Sequence, residues 1–192
     1  MRMRYFGDSY DIVKRFLLHT ISPEGDWAAL PMFTEPVTLG EVVQFEAFLG
    51  ARVVRPDPVV PGEDRRSYFI LPSSEHRILV DPNKGVRMGR PSRARASVDY
   101  VFPEEVVGLC RGEPRRLVVT FDQSHVRGQE PESLSGKLAA FRREGVHGFA
   151  YRSHACFLVL TADEALATEA QAHLVAAGLP GDKLIGTRAG PT

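Results

Sequence analysis

Apolar positions along the chain follow two alternating rhythms. One is a stripe spaced three and four apart, as on one face of a helix; the other is a short consecutive block, as in a strand covered on both sides. The first stripe, Ile12, Val13, Phe16 and Leu17, predicts a helix over Ser9 to Thr20, with Asp8 as its cap and Asp11 in its first turn. A strand is expected at Trp27 to Phe33. Thr38 and Glu41 form a capping box for the next helix, whose inner face is Val42, Phe45 and Leu49 and whose stop is Gly50. Ala51 to Arg55 is predicted as a second strand, the proline-rich stretch 56–66 as loop, and Tyr68 to Leu71 as a further short strand.

His76 to Val80 is a stronger strand prediction, because Ile78, Leu79 and Val80 are consecutive apolar residues; it ends in Asp81-Pro82. A helix is expected from Pro103 to Cys110, then a fully apolar strand from Arg116 to Phe121 that ends in Asp122-Gln123-Ser124. Leu134, Leu138 and Phe141 stripe a helix over Glu132 to Glu144, stopped by Gly145. Gly148 to Arg152 and Ala155 to Thr161, separated by Ser153-His154, predict either a hairpin or one bulged strand. Thr161 and Glu164 suggest a capping box for a last helix striped by Leu166, Ala170 and Leu174 and closed by Gly178-Leu179-Pro180.

With no internal repeat and no linker, residues 1–192 are expected to form one domain. Alternating strands and helices imply an α/β fold, a mostly parallel sheet wrapped by helices. In such sheets ligands gather at the carboxyl ends of the strands, which is where Asp81, Asp122 and the segment after Phe33 fall.

Composition narrows the function classes. Hydrophobic residues make up 43% and charged residues 25%, and the formal net charge is zero, so any preference for nucleic acid must come from local clusters. No apolar run approaches the roughly 18 residues that span a bilayer, so no membrane partner is expected. The start, Met1-Arg2-Met3-Arg4 followed by Tyr5-Phe6-Gly7-Asp8-Ser9, is too polar for a leader, and a cytoplasmic location is expected. Cys110 and Cys156 sit in apolar runs, as buried reduced thiols do, and no Cys/His spacing suits a metal.

Several residues carry candidate chemistry, each with a plainer alternative. Asp81, set at a strand mouth by Pro82, can accept a proton, hold a metal or bind an amine; alternatively it caps its own turn. Asp122, Gln123 and Ser124 can bind a ligand, with Arg127 pairing an anion, or they satisfy a turn. Ser124 with His125 or His154 has the makings of a nucleophile and base, but without a G-x-S-x-G elbow acyl transfer is not expected. Asp11 and Lys14 can share a helix face and pair; capping and a solvated lysine also account for Asp8, Asp11 and Lys14. Lys84, Arg87, Arg90, Arg93 and Arg95 fall between positions 84 and 97 with no acid among them, which suits a phosphate-bearing ligand or nucleic acid, or else a solvated loop. His154 either points into the site or supports the hairpin.

Gly7-Asp8-Ser9-Tyr10-Asp11-Ile12-Val13-Lys14 resembles the opening G-N-x-x-D-V-L-K helix of the bacterial ribosomal-RNA adenine-N6 methyltransferases. Asp81-Pro82 stands where that family has its catalytic D-P-P-Y, and the closely spaced final strands are similar to the antiparallel hairpin that ends Rossmann-like methyltransferases. The chain looks closer still to uncharacterised bacterial and phage-associated proteins with a G-D-x-x-D-x-x-K start and an L-D-P-x-x-G strand end, here Leu79-Val80-Asp81-Pro82-Asn83-Lys84-Gly85. The resemblance implies a three-layer Rossmann-like fold with a C-terminal antiparallel hairpin. It also implies S-adenosylmethionine beside Asp8, Asp11, Lys14 and Thr34, and a substrate held by Asp81. Three departures stand against this. Asn83-Lys84 replaces the Pro-Tyr that stacks on a flipped adenine, Leu30-Pro31-Met32-Phe33-Thr34 contains no Gly-x-Gly turn, and Val53-Val54-Arg55 offers no acid for ribose.

Three readings therefore stand together. The first is a methyltransferase relative acting on a nucleotide or nucleic acid, with Asp81 and Asp122 at the reacting centre. In the second, Asp8, Asp81 and Asp122 converge on Mg²⁺ in a phosphoesterase or nuclease. The third is a module that binds a nucleotide or a partner without turnover.

Overall fold

The computed structural model describes residues 1–62, 65–90, 94–112, 116–126 and 128–186, with Arg95 and Ala96 described by backbone alone. Arg93 and Arg127 lie outside the described residues.

Helix α1 (Ser9–Ile21) begins at Asp8, whose carboxylate accepts the N–H groups of Tyr10 and Asp11. Replacing Asp8 with alanine is expected to cost about 1 kcal/mol, the usual worth of such a cap, measurable by urea unfolding. β1 (Trp27–Leu30) is followed by α2 (Leu39–Leu49), which has the expected Thr38–Glu41 capping box and ends at Gly50 with φ +66°. Then come β2 (Ala51–Val53), α3 (Arg65–Tyr68), β3 (Arg77–Val80), β4 (Gly85–Val86) and β5 (Tyr100–Val101). The rest of the described chain is α4 (Pro103–Gly112), β6 (Leu117–Phe121), α5 (Glu130–Arg143), β7 (His147–Arg152), β8 (Cys156–Thr161), α6 (Glu164–Ala176) and β9 (Leu184–Gly186).

Seven strands form one sheet in the order β2-β1-β3-β6-β8-β7-β9. The first four are mutually parallel, whereas β8 runs antiparallel to both β6 and β7, and β9 antiparallel to β7. The two final apolar runs are thus a hairpin rather than one bulged strand, with Arg152 paired to Cys156 across its turn. Helices cover both faces, giving the three-layer Rossmann-like α/β arrangement. Leu17, Phe45 and Leu174 pack on one face against Leu79 and Val119; Leu109, Leu138 and Phe141 pack on the other against Val80 and Val118. No helix among the described residues is long and apolar enough to cross a membrane. Both cysteines are buried free thiols, and burial pushes Cys110 up to about 12 and Cys156 up to about 11, so neither is a ready nucleophile.

The structure departs from the sequence pattern in several places, one being β9, a strand that the pattern does not predict. Tyr68 to Leu71 is not a strand. Tyr68 instead ends α3, whose helical turn puts Arg65 and Tyr68 on one inward face, where Arg65 bonds Glu105 and the Ser97 and Tyr100 carbonyls, and residues 69–71 follow it as turn and irregular chain. Thr161 does not cap the last helix: it is still paired in β8, and Asp163 caps α6 through the N–H groups of Ala165 and Leu166. β4 and β5, only two residues each, pair in parallel; β4 lies within the basic stretch 84–97, which the charge pattern suggests is a loop, and β5 just past its end. Finally, α1 is rotated from its apolar stripe: Ile12 and Phe16 are 59% and 42% exposed, while Asp11 and Lys14 are 2% and 4% exposed.

Candidate functional site

That rotation brings a charged face into the protein. Lys14 Nζ lies 2.7 Å from Asp11 Oδ1 and 2.7 Å from Asp81 Oδ2, all three groups being buried. The second oxygen of Asp11 accepts the Gly7 N–H at 2.7 Å, and the Lys14 ammonium also stands over the Phe121 ring at 5.3 Å. Burial alone would lower the Lys14 pKa, but the adjacent carboxylates of Asp81 and Asp11 outweigh it and hold the ammonium above its usual range. For Asp81 burial dominates, with Asp11 as a like charge, and Lys14 offsets it only in part, so this carboxyl is held above the usual carboxylate range.

β3 delivers Asp81 to this place. The Asp81 N–H continues the sheet by donating to the Leu30 carbonyl, and the side chain emerges on the α1 face. The three groups floor a cavity of about 380 Å³ whose walls include Tyr5, Tyr10, Phe121, Arg2, Asn83 and Gln123. Lys14 bonds Oδ2 of Asp81; among the described residues no donor reaches Oδ1, which remains an acceptor on the cavity floor.

Asp122 ends the neighbouring strand but turns away. β3 and β6 pair with Arg77 opposite Leu117 and Val80 opposite Thr120, so the next pair is Asp81 with Phe121 and Asp122 lies one step beyond. Side chains alternate along a strand, so Asp122 faces the opposite layer. There it is fully buried: Lys137 Nζ approaches Oδ2 at 2.5 Å, and Oδ1 accepts the N–H groups of Val86 and Ser124 and the Ser124 hydroxyl. Ser124 Oγ also accepts from Lys137 Nζ at 2.8 Å, and its single proton is shared between Asp122 Oδ1 and the Val86 carbonyl, both within reach. This network ties β4 and α5 to the end of β6. Ser124 belongs to it, and the cavity floored by Asp81 does not include it.

Of the other expected site residues, Gln123 reaches the cavity and donates to the His154 carbonyl. The exposed His154 ring stacks near Tyr10 at 5.3 Å, with Nε2 3.2 Å from Ser9 Oγ, so it braces the hairpin turn against the start of α1. Asp8 lines the cavity while capping α1. Thr34 does not line it, but its N–H donates to the Met1 carbonyl. Lys84 pairs with Asp99 at 3.2 Å, and both Lys84 and Arg87 stand over Tyr100; Arg87 and Arg90 are exposed.

The crevice between the ends of β1 and β3, where strand order reverses, is filled from within. Met1 is buried there; its amino group donates to the Met32 carbonyl, and the Met32 N–H donates to Tyr68 Oη at 2.9 Å. Met32 itself has φ +48°. Burial lowers the pKa of the Met1 amino group to about 5, so near neutral pH it is an uncharged donor.

Spacing along the sequence missed Met1, Tyr68, Asp99 and Lys137 as parts of this region. Lys137 carried a signal: it falls on the same helical face as Leu134, Leu138 and Phe141, where a solvated lysine does not belong. No protein-family model, curated protein or solved structure matches the chain.

Proposed function

We propose that the protein is a relative of the Rossmann-like methyltransferases that binds a nucleotide or nucleic acid at the carboxyl ends of its strands, without methyl transfer. The observation that carries this reading is the buried Asp11–Lys14–Asp81 group flooring an aromatic-walled cavity. One cation between two carboxylates leaves a net negative floor with a spare acceptor on Asp81, suited to an amine or hydroxyl of a bound base or ribose. Tyr5, Tyr10 and Phe121 offer ring faces or edges to a planar ligand, and Arg2 stands on the wall for a phosphate. Lys84 follows the cavity residue Asn83, and both bond Asp99, whereas Arg87 stands over Tyr100 and does not line the cavity.

The residues present do not fit S-adenosylmethionine. No glycine opens the turn after β1, both backbone groups of Met32 are already bonded, Met1 fills the crevice, and β2 leads into Val54-Arg55 without an acid. Nor do they fit Mg²⁺. Asp8 is committed to its cap, Asp81 to Lys14 and Asp122 to Lys137 on the far face, and no cluster of three His, Cys, Asp or Glu among the described residues could hold an ion.

Titration calorimetry with adenosine monophosphate and a short single-stranded oligonucleotide tests the reading. Saturable binding is expected, weakened about tenfold or more in Asp81→Asn through loss of a charge-assisted bond, and weakened by salt for the oligonucleotide. S-adenosylmethionine should give no heat. Absence of nucleotide and oligonucleotide binding at millimolar ligand would sink the proposal; heat with S-adenosylmethionine would return the enzymatic reading.

A further inference from the structure

The face of β3 that ends in Asp81 begins in Arg77, with Leu79 between them. Arg77 lies at the amino end of the sheet, paired with Trp27 on one side and Leu117 on the other, and opens into a second cavity of about 700 Å³. Its floor is apolar, made by Ile21, Leu117, Leu166 and Ala170. Its rim is polar, with the charged Arg77 from the start of β3, Glu24 from the turn after α1 and Glu169 from α6, beside the imidazoles of His76 and His173.

Two details mark this as more than a gap between helices. The Arg77 stem passes so close to Gly25 that a Cβ there would fall 2.6 Å from Cδ and 2.8 Å from Nε, so a glycine at that position lets the side chain lie where it does. Secondly, the half-buried Arg77 guanidinium, Glu24 and Glu169 have no hydrogen-bond or ion-pair partner among the described residues, each other included. Opposite charges facing one cavity without meeting leave room for a ligand that carries both signs. His173 is oriented by its Nδ1, 2.8 Å from the Ile21 carbonyl; with the proton on Nδ1 its Nε2 is free to accept a hydrogen bond.

We propose that this cavity binds a zwitterion with an apolar side chain, an apolar amino acid or dipeptide. The carboxylate pairs with the Arg77 fork, the ammonium goes to Glu169 or Glu24, and the side chain lies on the Ile21–Leu117–Leu166 floor. A carboxylate alone would leave the glutamates unmatched, and an amine alone would leave Arg77 so. The site is separate from the cavity at the carboxyl ends, and its existence does not depend on what binds there.

The probes are L-leucine and leucyl-leucine, with 4-methylpentanoate and isoamylamine as single-charge analogues, in titrations followed by calorimetry and amide chemical shifts. Saturable binding of a zwitterionic probe is expected, with the analogues at least tenfold weaker. Arg77→Gln and Glu169→Gln should each weaken the zwitterion about tenfold, as loss of a charge-assisted contact does. Gly25→Ala should weaken it too, by displacing the Arg77 stem. Should Arg77→Gln fail to fold, Glu169→Gln at the exposed rim and Gly25→Ala carry the same test. The proposal is overturned by no saturable binding at tens of millimolar ligand, by analogues binding as tightly as leucine or leucyl-leucine, or by affinities untouched in every variant that folds.

Discussion

Replacing Lys14 with methionine should lower the unfolding free energy by about 3–5 kcal/mol, as expected when one member of a buried ionic group is removed and its partners are stranded. The Lys14 side chain is 6% exposed and its two carboxylates 2% each, so water cannot take its place without opening the floor of the cavity. The cost lies in the abandoned charges, not in a lost attraction. Accordingly, the triple variant Asp11→Asn, Lys14→Met, Asp81→Asn should regain most of the stability that the single variant loses. Urea unfolding of the three proteins measures both effects, and a triple variant no more stable than Lys14→Met would show that packing, not charge, is responsible.

The pH dependence has a definite sign. Burial raises the Asp81 pKa in the folded protein, so the folded state binds that proton more tightly than the unfolded chain. This contribution is complete below the ordinary carboxylate range and disappears as pH rises through the folded value. Lys14, also raised, contributes below the ordinary lysine range and loses that contribution as pH rises through its folded value. Against the wild type, Asp81→Asn should therefore lack the stabilising increment on acidification from neutral pH.

Gly85→Ala is the second large effect, expected to destabilise by about 2–5 kcal/mol. Gly85 has φ +120°, and a Cβ there would fall 2.3 Å from Asp122 Oδ1 and 2.7 Å from the Asp122 Cα. Backbone strain contributes about 1–2 kcal/mol and the forced displacement about 1–3 kcal/mol. Gly89 separates the two: it has φ +118° but nothing within 4 Å of the added carbon, so Gly89→Ala should show the strain alone. Equal losses at both positions would mean that the approach of β4 to Asp122 is not tight. Hydrogen exchange at the Val86 amide, which donates to Asp122, should accelerate in Gly85→Ala and not in Gly89→Ala.

What sequence could reveal here follows from how far each interaction reaches. Local signals were clear: the Asp8 and Thr38 caps, the Gly50 stop, and the apolar blocks of β3 and β6 all mark elements that exist. The faces of those elements were not legible, because distant partners decide them. α1 buries Asp11 and Lys14 rather than Ile12 and Phe16 because Asp81, sixty-seven positions beyond Lys14, is there to receive the ammonium. Likewise nothing near Asp81 or Asp122 in the chain states the offset between β3 and β6, and that offset alone assigns them to different layers. The basic run was visible as composition, but Asp99, which pairs with Lys84, lies just past its end.

That offset also makes the chemistry of the region depend on a count of one. Inserting or deleting a single residue ahead of Asp122, with the ladder held in place, would swing its carboxylate through the sheet to stand beside Asp81. A third acid would then crowd a floor that has one ammonium, while Lys137 would be left facing oil. The two charge balances, on odd and even positions, thus depend on the register of β6 as well as on the acids themselves.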